Sequence, residues 1–287
     1  MTTPGIKKDS SLEAEPSYLD FVLVPKFLVA EQADEETKKL MTTVGKICLE
    51  KDLRSQDFQC NSCGCAIGII YGKFRSCHYD GYNYCYGCHG NDTECIPARM
   101  IHNWDFKKYP VSNRVKVFIS HIENDPLLDI SKLNPALYAL EEVREIRLLR
   151  TQLTYLRSYI VICKTFAVED FRRKLWPREY LYEQVHLYSI TDMQEISSGV
   201  LAKTLQEAIA FARKHVRSCQ HCRRNGFVCE MCKSLKPVYP FDVESTCNCD
   251  KCFTVFRTVF LNTNTVCHNC IKSIRVSNRW THLHSVK

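Results

Sequence analysis

Apolar residues in the middle of the chain recur with the period of an α-helix. Ile146, Leu149, Leu153, Leu156, Ile160 and Cys163 follow one another at intervals of 3, 4, 3, 4 and 3, the stripe of a helix docked along a groove. Glu141, Arg144 and Arg147 mark the opposite face. Asn134 suits an N-cap and Pro135 the first helical position, where a missing N–H needs no partner. The next Pro or Gly is Pro177, so the stripe is expected to lie in a helical core rather than a coiled-coil seam. Other helices are expected over 31–51 (Leu40, Val44 and Cys48 on one face) and from a Ser112 cap to just before Pro126. A short helix capped by Ser189 or Thr191 should end at Gly199, followed by a last one over about 200–216. The segment CHYDGYNYCYGCH predicts a hairpin turning at Asp80-Gly81, with Tyr82 and Tyr84 on strand positions. IPARMIHNWDFKKYPVS, with two prolines, reads as an irregular connector packed through Ile101, Trp104 and Phe106.

The cysteines change this picture from a plain bundle to a metal-stapled one. The chain has 18 cysteines in 287 residues, and they cluster instead of scattering as core thiols do. CQHCRRNGFVCEMC carries the pairs Cys219/Cys222 and Cys229/Cys232, followed by Cys249/Cys252 and Cys267/Cys270, with Cys247 alongside. Each C-x-x-C turn aims two thiolates at one point, half of a tetrahedral zinc site. An earlier cluster holds Cys60, Cys63, Cys65, Cys77, Cys85, Cys88 and His89. Cys60, Cys63, Cys85 and Cys88 are expected to form one site. Cys77 and His89 are contenders, and Cys95 with His102 are candidates to complete a second. The expected cofactor is therefore Zn²⁺. The fold class is mostly α with small zinc-stabilised β modules. A helical bundle over 106–218 is flanked by a zinc-ribbon-like module (59–105) and a RING- or treble-clef-like one (219–272). Residues 1–17 are expected to be disordered, 18–58 to hold an apolar arm and a helix, and 273–287 to form a basic tail.

Composition narrows the function classes. No apolar signal segment opens the chain and no run is long enough to span a bilayer. A reducing cytoplasmic setting is expected, with thiolate–zinc favoured over cystine. The net charge is +7, but outside the acid-free tail the bases are interleaved with acids, which argues against a nucleic-acid face. Thiolate-rich closed shells argue against hydrolytic zinc, which keeps an open position.

IPARMIHNWDFKKYPVS, NPALY, EDFRRKLWPREYLYEQVHLYSITD and CRRNGFVCEMC together resemble the Rubicon homology domain, over about residues 18–272. This is the C-terminal module of Rubicon and of the pleckstrin-homology-domain-containing family M adaptors, and the family M branch is the more similar. The resemblance implies a zinc-bearing, non-catalytic module that binds a late-endosomal Rab GTPase in its GTP form. It also implies a peripheral place on late endosomes, lysosomes and autophagosomes. One departure stands out. The family's His-x-x-Cys pair after Cys252 reads Arg257 and Phe260 here, and arginine cannot ligate a cation. The alternatives are a RING-like ubiquitin ligase and a diacylglycerol- or phosphoinositide-type zinc finger. The first lacks a central His, with Arg257 in its place. The second lacks the basic stretch and leading His of those classes. The expected partner surface is Arg172, Arg173, Trp176 and Tyr180, since Trp and Arg are favoured anchors.

Overall fold

The computed structural model describes residues 35–163, 167–229, 236–248 and 254–258. The expected disordered N-terminus, the apolar arm and the basic tail lie outside them. Helix α1, Glu35–Thr43, buries Leu40. It stops at Thr43, well short of residue 51, and just beyond it the Leu133 side chain packs 2.7 Å from where a Cβ on Gly45 would be. A hairpin follows, β1 (Phe74–Ser76) against β2 (Asn83–Cys85), with Arg75 opposite Tyr84. Gly81 takes φ 76° at its turn.

The expected irregular connector contains a helix, α2, Pro97–Asn103. Pro97 sits in its first turn, where proline is tolerated, and Ala98, Met100 and Ile101 bury one face. Trp104 ends it in the left-handed region and packs edge-on to Phe106 at 5.0 Å. Strands β3 (Thr93–Cys95) and β4 (Lys108–Pro110) pair across this helix. Helix α3, Asn113–Ile122, starts at Ser112, whose hydroxyl accepts from the Val115 amide.

Strand β5 (Leu128–Asp129) leads into α4 (Ile130–Leu133). Pro135 then opens a 3₁₀ turn, Pro135–Ala139, and the long helix α5 begins only at Glu141. Extended Leu140 breaks the path between them. α5 runs to Ile162 and buries Val143, Ile146, Leu153, Leu156 and Ile160. Next come α6 (Ala167–Leu175), α7 (Tyr180–Glu183), β6 (Leu187–Tyr188, paired with β5) and α8 (Ile190–Ser197). Ser189 and Asp192 cap α8 reciprocally. Gly199, at φ 74°, joins it to α9, Val200–Ser218. The buried row Leu201, Leu205, Ala208, Ala212 and Val216 lies along α5, and its two alanines let the axes approach closely. α10 (Gln220–Arg223) and the ribbon β7 (Thr246–Asn248) with β8 (Val255–Arg257) complete the described chain. The architecture is mostly helical, with small two-stranded sheets pinning helix ends.

Arg150 lies within the buried face of α5 and is itself fully buried. Its Nε donates to the Leu181 carbonyl at 3.0 Å and its Nη2 to those of Gln184 (2.8 Å) and Tyr180 (3.3 Å). The guanidinium lies 4.3 Å from the Tyr188 ring centre. It serves as the cap that α7 cannot supply for itself. Beside it, buried Asp192 accepts from Tyr180 Oη at 2.7 Å and Arg178 Nη1 at 3.2 Å.

Truncation tests both features. Leu153→Ala should cost roughly 2–5 kcal/mol by lost burial and cavity formation. Arg150→Leu should cost about as much by leaving carbonyls dry, whereas exposed Arg144→Ala should stay within about 0.5 kcal/mol. Urea unfolding followed by circular dichroism measures all three.

Candidate metal centres

Two clusters among the described residues bring four ligand atoms within 4.8 Å of one another. The first joins Cys60, Cys63, Cys65 and Cys85. A 3₁₀ turn at Leu53–Gln56, capped by Asp52, leads into it. The knuckle itself closes through Gly64 N–H to the Cys60 carbonyl (2.9 Å) and Cys60 N–H to the Cys65 carbonyl (2.8 Å). Gly64 has φ 70°, a conformation that suits this tight turn. The hairpin β1–β2 delivers Cys85, whose amide donates to Cys60 Sγ at 3.3 Å. Cys88 borders the group.

The electrostatics are those of thiols sharing negative charge, with Cys63 and Cys85 shifted down and Cys65 and Cys88 shifted up. Cys63 is pulled down to about 6, first by the Cys65 amide and then by neighbouring thiols. Cys65 is pushed up to about 12 by Cys63 and Cys85. Cys88 is also pushed up to about 12, by burial and then by the same neighbours. A divalent cation would let all of them ionise together.

The second cluster joins Cys163, His215, Cys219 and Cys222. Cys163 is the C-cap of α5, His215 stands in the last turn of α9, Cys219 caps that helix, and Cys222 lies on α10. His215 Nε2 is 3.4 Å from Cys163 Sγ and 3.6 Å from Cys222 Sγ, and Cys163 Sγ is 3.7 Å from Cys219 Sγ. Burial, then Cys163 and Cys219, push Cys222 up to about 12. Tetrahedral zinc with its usual bond lengths has S···S edges of about 3.8 Å and N···S edges of about 3.6 Å. The observed separations, including 3.7 Å between Cys63 and Cys85, match both values. Thiolate and imidazole are the donors zinc prefers, so the residues fit the metal.

The other expected ligands are placed differently. Buried Cys77 neighbours Asp80, and burial followed by that carboxylate pushes it up to about 11. His89 is fully buried, its Nδ1 accepts from the Asn91 amide, and its Nε2 has no partner. Cys95 donates to the Phe106 carbonyl, while His102 meets the Gly45 carbonyl far along the chain. Cys229 is buried with Val238 and Val255, away from Cys219 and Cys222, and near Cys247. Cys232, Cys249, Cys252, Cys267, Cys270 and Phe260 lie outside the described residues. Arg257 sits on β8 and donates to the Lys236 carbonyl at 3.5 Å.

Cys163 and His215 are ligand candidates that sequence reasoning passed over. Cys163 completed an apolar stripe, and His215 looked like one more residue of an amphipathic helix. The available signal was His215-x3-Cys219-x2-Cys222, in which one helical turn aligns a histidine with a C-x-x-C pair.

Of the expected partner residues, Trp176 is 70% exposed. Arg172 and Arg173 precede it on the exposed face of α6, whose Phe171 and Leu175 are buried, and pair locally with Glu169 (3.5 Å) and Asp170 (3.7 Å). Tyr180 is instead turned inward onto Asp192.

The family model described as the Rubicon Homology Domain matches residues 75–275. The human protein "Pleckstrin homology domain-containing family M member 3" is 39% identical over 237 residues, 82% of this chain and 31% of its own length. The Xenopus laevis protein of that name is likewise 39% identical over 237 residues, covering 32% of its length. The chain thus spans about a third of the length of these curated relatives. With the family model covering most of its length and the matches falling in the family M branch, the chain belongs to the Rubicon homology domain family.

Proposed function

We propose that this chain is a non-catalytic, zinc-stapled adaptor module. It binds a GTP-loaded late-endosomal Rab GTPase and acts in endosome– and autophagosome–lysosome traffic. Its place is cytoplasmic and peripheral on those membranes. The match to the Rubicon Homology Domain over 75–275 carries the reading. The site chemistry supports it. Both four-donor clusters are closed shells of sulfur and imidazole, suited to structural rather than catalytic zinc. The N-terminal site would be Cys60, Cys63 and Cys85 with Cys65 or Cys88, forming a zinc-ribbon-like module. The C-terminal one would be Cys163, His215, Cys219 and Cys222. The remaining thiols, Cys229, Cys232, Cys249, Cys252, Cys267 and Cys270, would supply further half-sites, with Arg257 and Phe260 leaving one of them altered.

The GTPase surface proposed is Trp176 with Arg172 and Arg173. A large exposed indole beside guanidinium groups is the usual make-up of an interface anchor. The local ion pairs of the arginines are solvent-exposed and easily exchanged for contacts with a partner. Tyr180 holds the segment in place from beneath through Asp192. An effector recognises the GTP form by touching switch segments that the γ-phosphate orders.

Metal content tests the first part. Zinc should be present at no less than the two described clusters. Removing it, or making Cys222→Ser, should unfold the region around α9, because structural zinc contributes on the order of 10 kcal/mol to folding. After cobalt substitution, His215→Cys should keep the metal and shift the visible absorption towards an all-sulfur shell, while His215→Ala should lose that band. Unchanged melting and absorption in Cys222→Ser would refute the site.

Titration against purified Rab GTPases tests the second part. Binding should need GTP, and Trp176→Ala or Arg172→Glu with Arg173→Glu should weaken it by about tenfold or more with the fold intact. Unchanged affinity in both variants would move the interface elsewhere. A protein that ignores the nucleotide would remove the effector reading.

A further inference from the structure

Immediately after Cys65 the chain makes a narrow projection. Ile67 is buried, and its amide is held by the Phe58 carbonyl at 2.7 Å. Gly68 and Gly72 then bond each other in both directions, at 2.8 and 3.0 Å, with φ of 130° and 154°. Between them stand Ile69, Ile70 and Tyr71, exposed at 104%, 87% and 64%. Half-exposed Phe58 lies against the base at Gly68. Three consecutive large apolar side chains in water at a hairpin tip are costly to keep, while Ile67 fills the buried position beneath them.

The geometry points to this tip as a membrane wedge that enters the interfacial layer of an anionic lipid bilayer. Shape favours a bilayer over a protein. A stable protein interface takes about 800 Å² from each partner, more than a three-residue projection offers, whereas an interfacial anchor needs only to reach about 5–10 Å into the headgroup boundary. Composition agrees. Two isoleucines supply depth, and the amphipathic ring of Tyr71 suits the headgroup level. Charge agrees too. From Phe58 to Tyr79 there is no acidic residue, while exposed Lys73 stands directly behind the tip and Arg75 just beyond it. Arg75 is held by the His89 carbonyl and the Tyr86 ring, so its charge is fixed on the same hairpin. Anionic headgroups would meet those cations as the isoleucines enter. No helix among the described residues is long and apolar enough to cross a membrane, so such an attachment is peripheral. The cysteine cluster at Cys60, Cys63 and Cys65 stiffens the base of the wedge.

The test uses the full chain with its native metal and no GTPase, so it stands apart from the effector reading. Vesicles of phosphatidylcholine, alone or mixed with phosphatidylserine, are sedimented with the parent, with Ile69→Ser/Ile70→Ser and with Lys73→Glu. The mixed vesicles should pull down the parent more than the neutral ones. The double variant should lose about tenfold in partitioning, as expected for two exposed isoleucines no longer entering an apolar phase. Lys73→Glu should weaken binding to mixed vesicles only. A Tyr71→Trp variant should show blue-shifted emission on the same vesicles. Equal sedimentation of parent and double variant, no sedimentation at all, or an unshifted indole would overturn the proposal. So would tip-dependent association with a protein or a second copy of the chain in the absence of vesicle binding.

Discussion

The interior depends on a cation placed where helix periodicity alone would put a leucine. Arg150 belongs to the buried face of α5, yet its guanidinium meets backbone carbonyls rather than a carboxylate. A four-residue helix such as α7 leaves most of its carbonyls without internal partners, and burying them dry would be expensive. One planar donor fork answers the Leu181 and Gln184 carbonyls, shares that of Tyr180 with the Gln184 amide, and covers Tyr188 besides. The segment from 175 to 192 is thereby fixed on the bundle. Tyr180 and Arg178, both tied to Asp192, carry that order outward to the neighbourhood of Trp176.

The two cysteine clusters work at the edges of the same core. One braces the knuckle and hairpin at the N-terminal side, and the other stands where α5 and α9 end together. Small two-stranded ribbons have too little buried face to hold themselves, and the zinc proposed for the first cluster would brace the one formed by β1 and β2. Trp176 and the Ile69–Tyr71 tip face solvent outside this core.

Much of this was legible in the residues, and the failures have physical causes. The Ser112 cap, the Ser189 start and the α5 stripe follow from hydrogen-bond chemistry and period, which act locally. Pro135 looked like a helix start because local rules permit it, but the chain spends it on a 3₁₀ turn and restarts at Glu141. α2 was hidden because two prolines read as breakers, although the first occupies the one helical place proline tolerates. Three thiols of the first cluster, Cys60, Cys63 and Cys85, stood out because their spacing is dense, but Cys65 joins them where Cys88 was expected. The second cluster did not, since Cys163 lies 56 residues from Cys219 in sequence and only the fold brings them together, where no spacing rule reaches. Arg150 was equally opaque, because a buried arginine is recognisable only once the carbonyls it serves are in view.

The layout of the second cluster sets an order of events in time. His215, Cys219 and Cys222 lie within eight residues and form a local tridentate hook once α9 and the short α10 after it have formed. Cys163 is 56 residues before Cys219, and reaches the hook only when α5 has docked. Closing so long a loop is an entropic step that local folding does not provide. Were the proposed zinc bound here, the hook would take it early and Cys163 would join last, when the helices lock. Release would run in reverse, beginning with the departure of the α5 terminus, so that the residence time of the metal reports how often that helix end comes away from the bundle.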